Sequence, residues 1–410
     1  MRIALLVTDL NPPRIGGISK VATEIVLSYC AQGHEVDVYC LARTVAAFPT
    51  QIQGLSLIEV KPNFKLYDEY PVMSFSISAF ALLAKKHKQK PYDVSHAMNF
   101  NNYGLVLYRR ALRKSGLAHV STAFETTEME LKAKWHEFKK QPSVHCFAQI
   151  VMEMYLAPFQ RAYIGWADAI TTEDEETRAN LLKKGIRSDD INLVPSGINL
   201  QEIDDYVTQH TQPQIANQNP QLQIAKGAPL ILCPGRVDPR KGTQFILRAF
   251  ARYFEKVPTA HLLLVGGGRG DYIGSIKKLI AELNISHQVT LTGRVDDMKP
   301  YYHACDLVVI PSLSEGIPIT LQEAMAFSKP VICSKLQGTY AYANHLNSIL
   351  WPEPASVDDL YQSLLTHKEK LTVEAVQQSR RFIEDYDWSG VAKNYLKVYE
   401  IARKKAALQS

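Results

Sequence analysis

Short apolar runs rich in β-branched residues recur along this chain, each followed by apolar positions at helical spacing, and that alternation leaves few folds open. In the first half, residues 2–8 (RIALLVT) read as a strand. A helix follows with apolar residues at Ile18, Val21, Ala22, Ile25, Val26 and Tyr29; it ends at Gly33, and residues 35–41 (EVDVYCL) return as a second strand. In the second half, strands are expected at 230–233, 261–265, 288–292, 307–310 and 330–333. Runs that stay apolar throughout suit strands covered on both faces, and strands alternating with helices predict parallel sheets flanked by helices. A length of 410 residues is too long for one core. Residues 201–228 carry repeated Gln and Asn (QPQIANQNPQLQ) with little apolar periodicity and are expected to be an interdomain linker, leaving domains at 1–200 and 229–385.

In open α/β sheets, ligands bind beyond the carboxyl ends of the strands, so the loops that follow the strands are where chemistry is sought. After 307–310 comes Ser314-Glu315-Gly316-Ile317-Pro318-Ile319-Thr320-Leu321-Gln322-Glu323, two carboxylates eight residues apart across a strand-to-helix junction. The free N–H groups of that helix start suit a phosphate, with Glu315 and Glu323 accepting from hydroxyls on its two sides. The plainer alternative is a helix start with two solvated glutamates. A second loop, Pro234-Gly235-Arg236-Val237-Asp238-Pro239-Arg240-Lys241-Gly242, carries three cations. Arginine offers a fork of donors matched to phosphate oxygens and lysine a mobile point charge. Together the two loops describe a site for a polyhydroxylated diphosphate.

The order GGISKVATEIVLSYCAQGHEV, PGRVDPRKG, LLLVGGG, VTLTGRV and EGIPITLQEAMAFSKPV resembles retaining glycosyltransferases of family 4, over nearly the whole chain and most strongly from about 229 to 334. The resemblance implies an α/β GT-B fold, two Rossmann-like domains with parallel sheets facing a central cleft, with a C-terminal helix at about 386–410 packing back on the first domain. It implies transfer of a sugar from a nucleotide-sugar, a UDP-sugar favoured over a GDP-sugar, with retention of configuration, to a glycan or lipid-linked acceptor in polysaccharide or glycolipid biosynthesis. Carried over residue by residue, it gives a catalytic set of Glu315, Arg236, Lys241, Glu125 and His96. Donor contacts fall at Gly16, Gly17, Arg236, Lys241, Gly266, Arg294, Val295, Glu315, Gly316, Ile317, Pro318, Ile319, Thr320 and Glu323. No cofactor and no metal are expected, with Arg236 and Lys241 supplying the countercharge to the leaving diphosphate.

Some segments depart from the family pattern. Where the family's strand leads to a cleft histidine, this chain has Glu125, whose carboxylate could act as a base, contact an acceptor hydroxyl or oppose positive charge near the sugar. His96 ends a segment (YDVSH) similar to a family strand end near the cleft; a packed histidine is the alternative. Gly16 and Gly17 lack the third glycine of a dinucleotide fingerprint, which disfavours NAD. Residues 334–339 (SKLQGT) keep one glycine of the usual pair. Two other classes stay open: a non-catalytic sugar-nucleotide-binding protein, and another GT-B enzyme such as a nucleotide-sugar epimerase.

Composition adds limits. The net charge of +5 is too small to argue for nucleic acid. Six cysteines without a C-x-x-C pair read as buried thiols of a reducing cytosol. Residues 2–8 lack a cleavage site and no run of 18 apolar residues exists, so a cytoplasmic protein is expected. Basic clusters at Lys85, Lys86, Lys88 and Lys90, and at Arg109, Arg110, Arg113 and Lys114, join an apolar stretch at 144–166 in leaving open peripheral contact with an anionic membrane. Lysines at a helix C-terminus are also ordinary dipole complements. The residues do not set an oligomeric state.

Overall fold

The computed structural model describes residues 1–12, 17–49, 51–62, 72–124, 160–210, 227–268 and 270–408, with isolated helical positions between 131 and 154. It divides into two compact units, Met1–Ser196 with Trp388–Ser410, and Gly197–Asp387.

The first unit is built on a seven-stranded sheet of β1 (Arg2–Leu6), β2 (Glu35–Cys40), β3 (Leu55–Glu59), β4 (Val94–Met98), β5 (Ala118–Ala123), β6 (Ala169–Thr172) and β7 (Ile191–Leu193). Its order is β3-β2-β1-β4-β5-β6-β7, parallel throughout. Successive strand residues face opposite ways, so β1 divides its side chains between two cores. Ile3 and Leu5 pack with Val21 and Ile25 of α1 (Gly17–Ala31) and with the final helix, while Ala4 and Leu6 meet Phe75, Phe80 and Leu83 of helix Val72–Gln89. The final helix, Trp388–Ala407, belongs to this unit because Trp388, Val391, Tyr395, Val398 and Tyr399 give it an apolar stripe at helical spacing, buried in the first core.

A buried polar chain runs through that core. The Tyr29 hydroxyl donates to that of Tyr399 at 2.9 Å, the Tyr399 hydroxyl lies 2.7 Å from His96 Nδ1, His96 Nε2 is 2.6 Å from Thr122 Oγ1, and Thr122 Oγ1 is 2.6 Å from Thr171 Oγ1. Polar groups this deep persist because each finds a partner. Just past β6, Glu173 accepts a hydrogen bond from Ser196. Burial pushes its carboxyl up to about 7 against the downward pull of that bond.

The second unit holds a six-stranded parallel sheet of β8 (Leu230–Pro234), β9 (His261–Val265), β10 (Val289–Gly293), β11 (Leu307–Ile310), β12 (Val331–Cys333) and β13 (Ile349–Leu350), in the order β10-β9-β8-β11-β12-β13. Every expected strand appears within one residue of its place. Strand order reverses between β8 and β11, and the loops leaving these two strands are the cation loop and the glutamate loop. Such a reversal is where open α/β sheets bind ligands.

The expected linker needs correction. Residues Leu200–Gln209 form a helix, α2, capped by Asn199, whose side chain accepts from Glu202 N at 3.0 Å. Leu200 and Ile203 are buried in the second unit's core and Tyr206 packs against it, while Arg380 pairs with Asp204 at 2.8 Å. The polar composition of 201–209 belongs to the outer face of a packed helix, and residues 211–226 lie outside the described residues.

Two measurements check the buried chain. Tyr399→Phe leaves His96 Nδ1 and the Tyr29 hydroxyl without their partner, so denaturant unfolding should show a loss of ~1–3 kcal/mol in the first unit; an unchanged midpoint would contradict the chain. For Glu173, the folded value of about 7 lies above the ~4.3 of an unfolded glutamate, so the folded protein holds a proton the unfolded one releases. The stability of the native protein relative to Glu173→Gln should therefore fall as pH rises from about 4.3 through about 7, then level off. A flat difference across that window would refute it.

Candidate functional site

The second unit's strand-end loops are locked together by backbone contacts that admit only glycine. Gly242 has φ +68°, and a Cβ there would stand 1.9 Å from the Pro311 carbonyl oxygen. Leu313 N donates to the Arg240 carbonyl at 2.7 Å, so the cation loop and the glutamate loop run against each other. Gly266, φ +150°, would drive a Cβ to 2.1 Å from the Gly235 carbonyl oxygen. Its N–H donates to Gly293 O at 3.0 Å, and Val237 N donates to Gly267 O at 2.9 Å. The ends of β8, β9, β10 and β11 thus form one rigid rim.

On this rim Lys241 pairs with Glu315. The Nζ donates to Glu315 Oε1, and Ser312 Oγ donates to the same oxygen at 3.0 Å. The two charged side chains are 27% and 16% exposed, so the pair is largely out of water. Arg236 is exposed on the same loop, while Arg240 turns to Asp238 at 3.6 Å. Arg294 is exposed beside Gly267, whose added Cβ would lie 3.3 Å from Arg294 Cβ, and Val295 packs against the core beneath.

Beyond Glu315 the chain passes Gly316, Ile317 and Pro318 into helix α5 (Ile319–Ala326); earlier in the same unit lie α3 (Thr243–Lys256) and α4 (Lys299–Ala304). Pro318 is the N-cap residue and Leu321 N already bonds its carbonyl at 2.9 Å. Ile319 and Thr320 belong to the first turn, where N–H groups have no partner within the helix. Thr320 Oγ1 is buried and has no hydrogen-bond partner among the described residues. Gly316 is held from behind: Thr339 Oγ1 donates to its carbonyl at 2.8 Å. This hydroxyl stands beside Gly338, the single glycine kept in that region. Glu323, one turn further into α5, accepts from the Tyr302 hydroxyl at 2.9 Å.

Arg236, Lys241, Gly266, Arg294, Val295, Glu315, Gly316, Ile317, Pro318, Ile319, Thr320 and Glu323 therefore fall on strand-end loops, or in the helix start that follows them, in one unit. Of the first-unit residues, Gly17 opens α1 with no described residue within 4 Å of an added Cβ, while Gly16 and Glu125 lie outside the described residues. The expectation for His96 is corrected. It is fully buried within β4, both ring nitrogens are hydrogen-bonded, and burial lowers its pKa to about 3. A neutral, saturated imidazole in the core has no nitrogen to offer a substrate, and its place in the pattern reflects packing. Reasoning from sequence also passed over Glu173, Thr339 and Tyr302. The signals were weak: a carboxylate directly after a strand, a hydroxyl beside a lone glycine, and a tyrosine between two expected strands.

The chain spells one D-x-D, Asp385-Tyr386-Asp387, the spacing that holds a sugar diphosphate through a divalent ion in other transferases. It lies after helix Val373–Glu384, where Asp387 Oδ1 accepts from Leu200 N at 3.2 Å, in a structural joint of the unit. Among the described residues, no group of three His, Cys, Asp or Glu could hold a metal ion, and no helix is long and apolar enough to cross a membrane. Of the basic clusters, Lys90 pairs with Glu35 at 2.6 Å, Arg113 lies 3.9 Å from Asp168, and Arg109 sits over the Trp166 ring. Most of the apolar stretch at 144–166 lies outside the described residues.

A family model described as Glycosyltransferase Family 4 matches residues 15–202, and one described as Glycosyl transferases group 1 matches residues 214–380. An uncharacterized glycosyltransferase of Methanocaldococcus jannaschii is 23% identical, over 98% of this chain and 98% of its own. A lipopolysaccharide 1,2-N-acetylglucosaminetransferase of Salmonella typhimurium is 27% identical over 50% of this chain and 55% of its own. Among solved structures, sucrose-phosphate synthase from Thermosynechococcus elongatus matches with a TM-score of 0.71 at 20% identity, covering 97% of this chain and 98% of that one. HepE from Anabaena, solved with UDP, matches with a TM-score of 0.69 at 18% identity, covering 97% and 99%. With one glycosyltransferase model on its first half, another on its second, and two parallel-sheet Rossmann-like units, this chain belongs to the GT-B glycosyltransferases of the family 4 type.

Proposed function

We propose that this glycosyltransferase moves a sugar from a nucleotide-sugar, a UDP-sugar in preference to a GDP-sugar, to a glycan or lipid-linked acceptor with retention of configuration and without a metal ion. The observation that carries the reading is the Lys241–Glu315 pair on the rim at the strand-order reversal, next to the start of α5. Lys241 and Arg236 stand where cations would neutralise a departing diphosphate, and the first-turn N–H groups with the Thr320 hydroxyl add donors for its oxygens. Glu315 would accept from hydroxyls of the transferred sugar, and Glu323 from those of the ribose. The bond from the anomeric carbon to the diphosphate breaks as one to the acceptor oxygen forms on the same face. The acceptor's proton passes to the leaving phosphate oxygen. UDP is bound in HepE, and lipopolysaccharide is named for the Salmonella relative, which supports the donor and acceptor classes proposed here. Glu125 is proposed as the acceptor-side carboxylate.

The test is release of nucleoside diphosphate from UDP- and GDP-sugars across a panel of glycan and polyprenyl-linked acceptors. A transferase releases it in proportion to acceptor glycosylated, whereas a sugar-nucleotide binder or an epimerase does not. Glu315→Gln keeps size and removes charge, and losing one charge-assisted bond worth ~1.5–3 kcal/mol should lower turnover about 10 to 100-fold. Unchanged turnover would remove Glu315 from the reaction. Lys241→Ala should weaken UDP more than uridine, since only UDP carries phosphate; equal weakening would contradict the phosphate role. Activity should survive EDTA, and a loss restored by magnesium or manganese would overturn the metal-free reading.

A further inference from the structure

Tyr302 lies on α4, between β10 and β11, and is 1% exposed. Its ring stacks on Phe327 at 5.5 Å between centroids and 12° between planes, and packs in the same core as Leu321 and Met325 of α5. This wall fixes the ring. The hydroxyl then reaches Glu323 Oε2 at 2.9 Å and the Thr320 carbonyl at 3.3 Å. A phenol has one proton, and the nearer, charged carboxylate is the stronger acceptor, so Tyr302 donates to Glu323. Burial first, and the Glu323 charge second, hold the phenol well above its ordinary pKa, which keeps the donor protonated. Glu323 itself is only partly buried, so its carboxylate stands between core and surface, anchored from the core side.

That arrangement matters for recognition. A glutamate on a free two-carbon stem gives up rotamer entropy when a ligand orders it. A carboxylate already held by one oxygen has lost that freedom in advance, which is what preorganisation supplies. We infer that Tyr302 is a positioning residue: by holding Glu323 Oε2 it aims the carboxylate at the ribose hydroxyls and sets the preference for ribonucleotide over 2′-deoxyribonucleotide. The inference rests on the ribose role proposed above for Glu323.

The experiment is calorimetric titration of the full chain with UDP and 2′-deoxy-UDP, or with the GDP pair if guanine is the base retained. Native protein, Tyr302→Phe, Glu323→Gln and the double variant are compared, with thermal melting as the check on fold. Phe keeps the ring stacked on Phe327. Tyr302→Phe should weaken UDP about 3 to 10-fold while leaving 2′-deoxy-UDP nearly unchanged, so the ratio of the two constants shrinks. The double variant should show the same ratio as Glu323→Gln alone, because Tyr302 acts through Glu323. Equal weakening of both nucleotides would mark a structural role only and overturn the inference. A collapsed ratio in Glu323→Gln with a native ratio in Tyr302→Phe would also overturn it, leaving the ribose role standing. A native ratio in Glu323→Gln would sink the ribose role, and the inference with it.

Discussion

Gly242 is pressed against the Pro311 carbonyl so closely that any side chain there would collide with backbone, and this contact holds the two loops of the second unit in register. On one side is the loop carrying Arg236 and Lys241, on the other the loop carrying Ser312 and Glu315. With the loops fixed by Gly242 and by the Leu313–Arg240 backbone bond, Lys241 meets Glu315 without a long search of side-chain conformations. A pair so placed is weak as a stability device, because the cost of drawing two charges largely out of water offsets much of their attraction. Its value lies in geometry: a cation and an acceptor kept at the edge of water, beside a helix start whose first N–H groups have no partner within the helix.

The sheet explains why the site lies where it does. Parallel strands feed all their following loops to one edge, and the reversal of order between β8 and β11 makes two neighbouring loops lead to helices in opposite directions. The glycines at 235, 242, 266 and 293, all at positive φ, let the backbone of this edge draw together. The first unit follows the same plan around β1 and β4, though its interior is spent differently. There the tyrosine, histidine and threonine chain joins α1 and the final helix to the middle of the sheet.

Much of this was legible in the residues. Buried parallel strands announce themselves as unbroken apolar runs, which is why 307–310 and 261–265 were read to the residue. The loops of Lys241 and Glu315 carried charge with no packing use. What escaped the sequence was contact made across distance. His96 looked like a strand-end histidine, yet Tyr399, 303 positions away, claims one of its nitrogens. Residues 201–209 looked polar and loose, yet Leu200, Ile203 and Tyr206 recur at helical spacing and find a core made by later segments. Tyr302 is one of two adjacent tyrosines in a short helix with nothing in the sequence to tell them apart; only the fold brings its hydroxyl to Glu323.

On the proposed reading, this rim of strand-end loops receives the diphosphate of a nucleotide-sugar. Hydrogen–deuterium exchange on the full chain, with and without saturating UDP, tests it at the level of single loops. The account predicts added protection of amides at 235–242 and 316–320, with β3 and the helix Val72–Gln89 of the first unit unchanged. Measurable UDP binding without protection in either of those loops would contradict it.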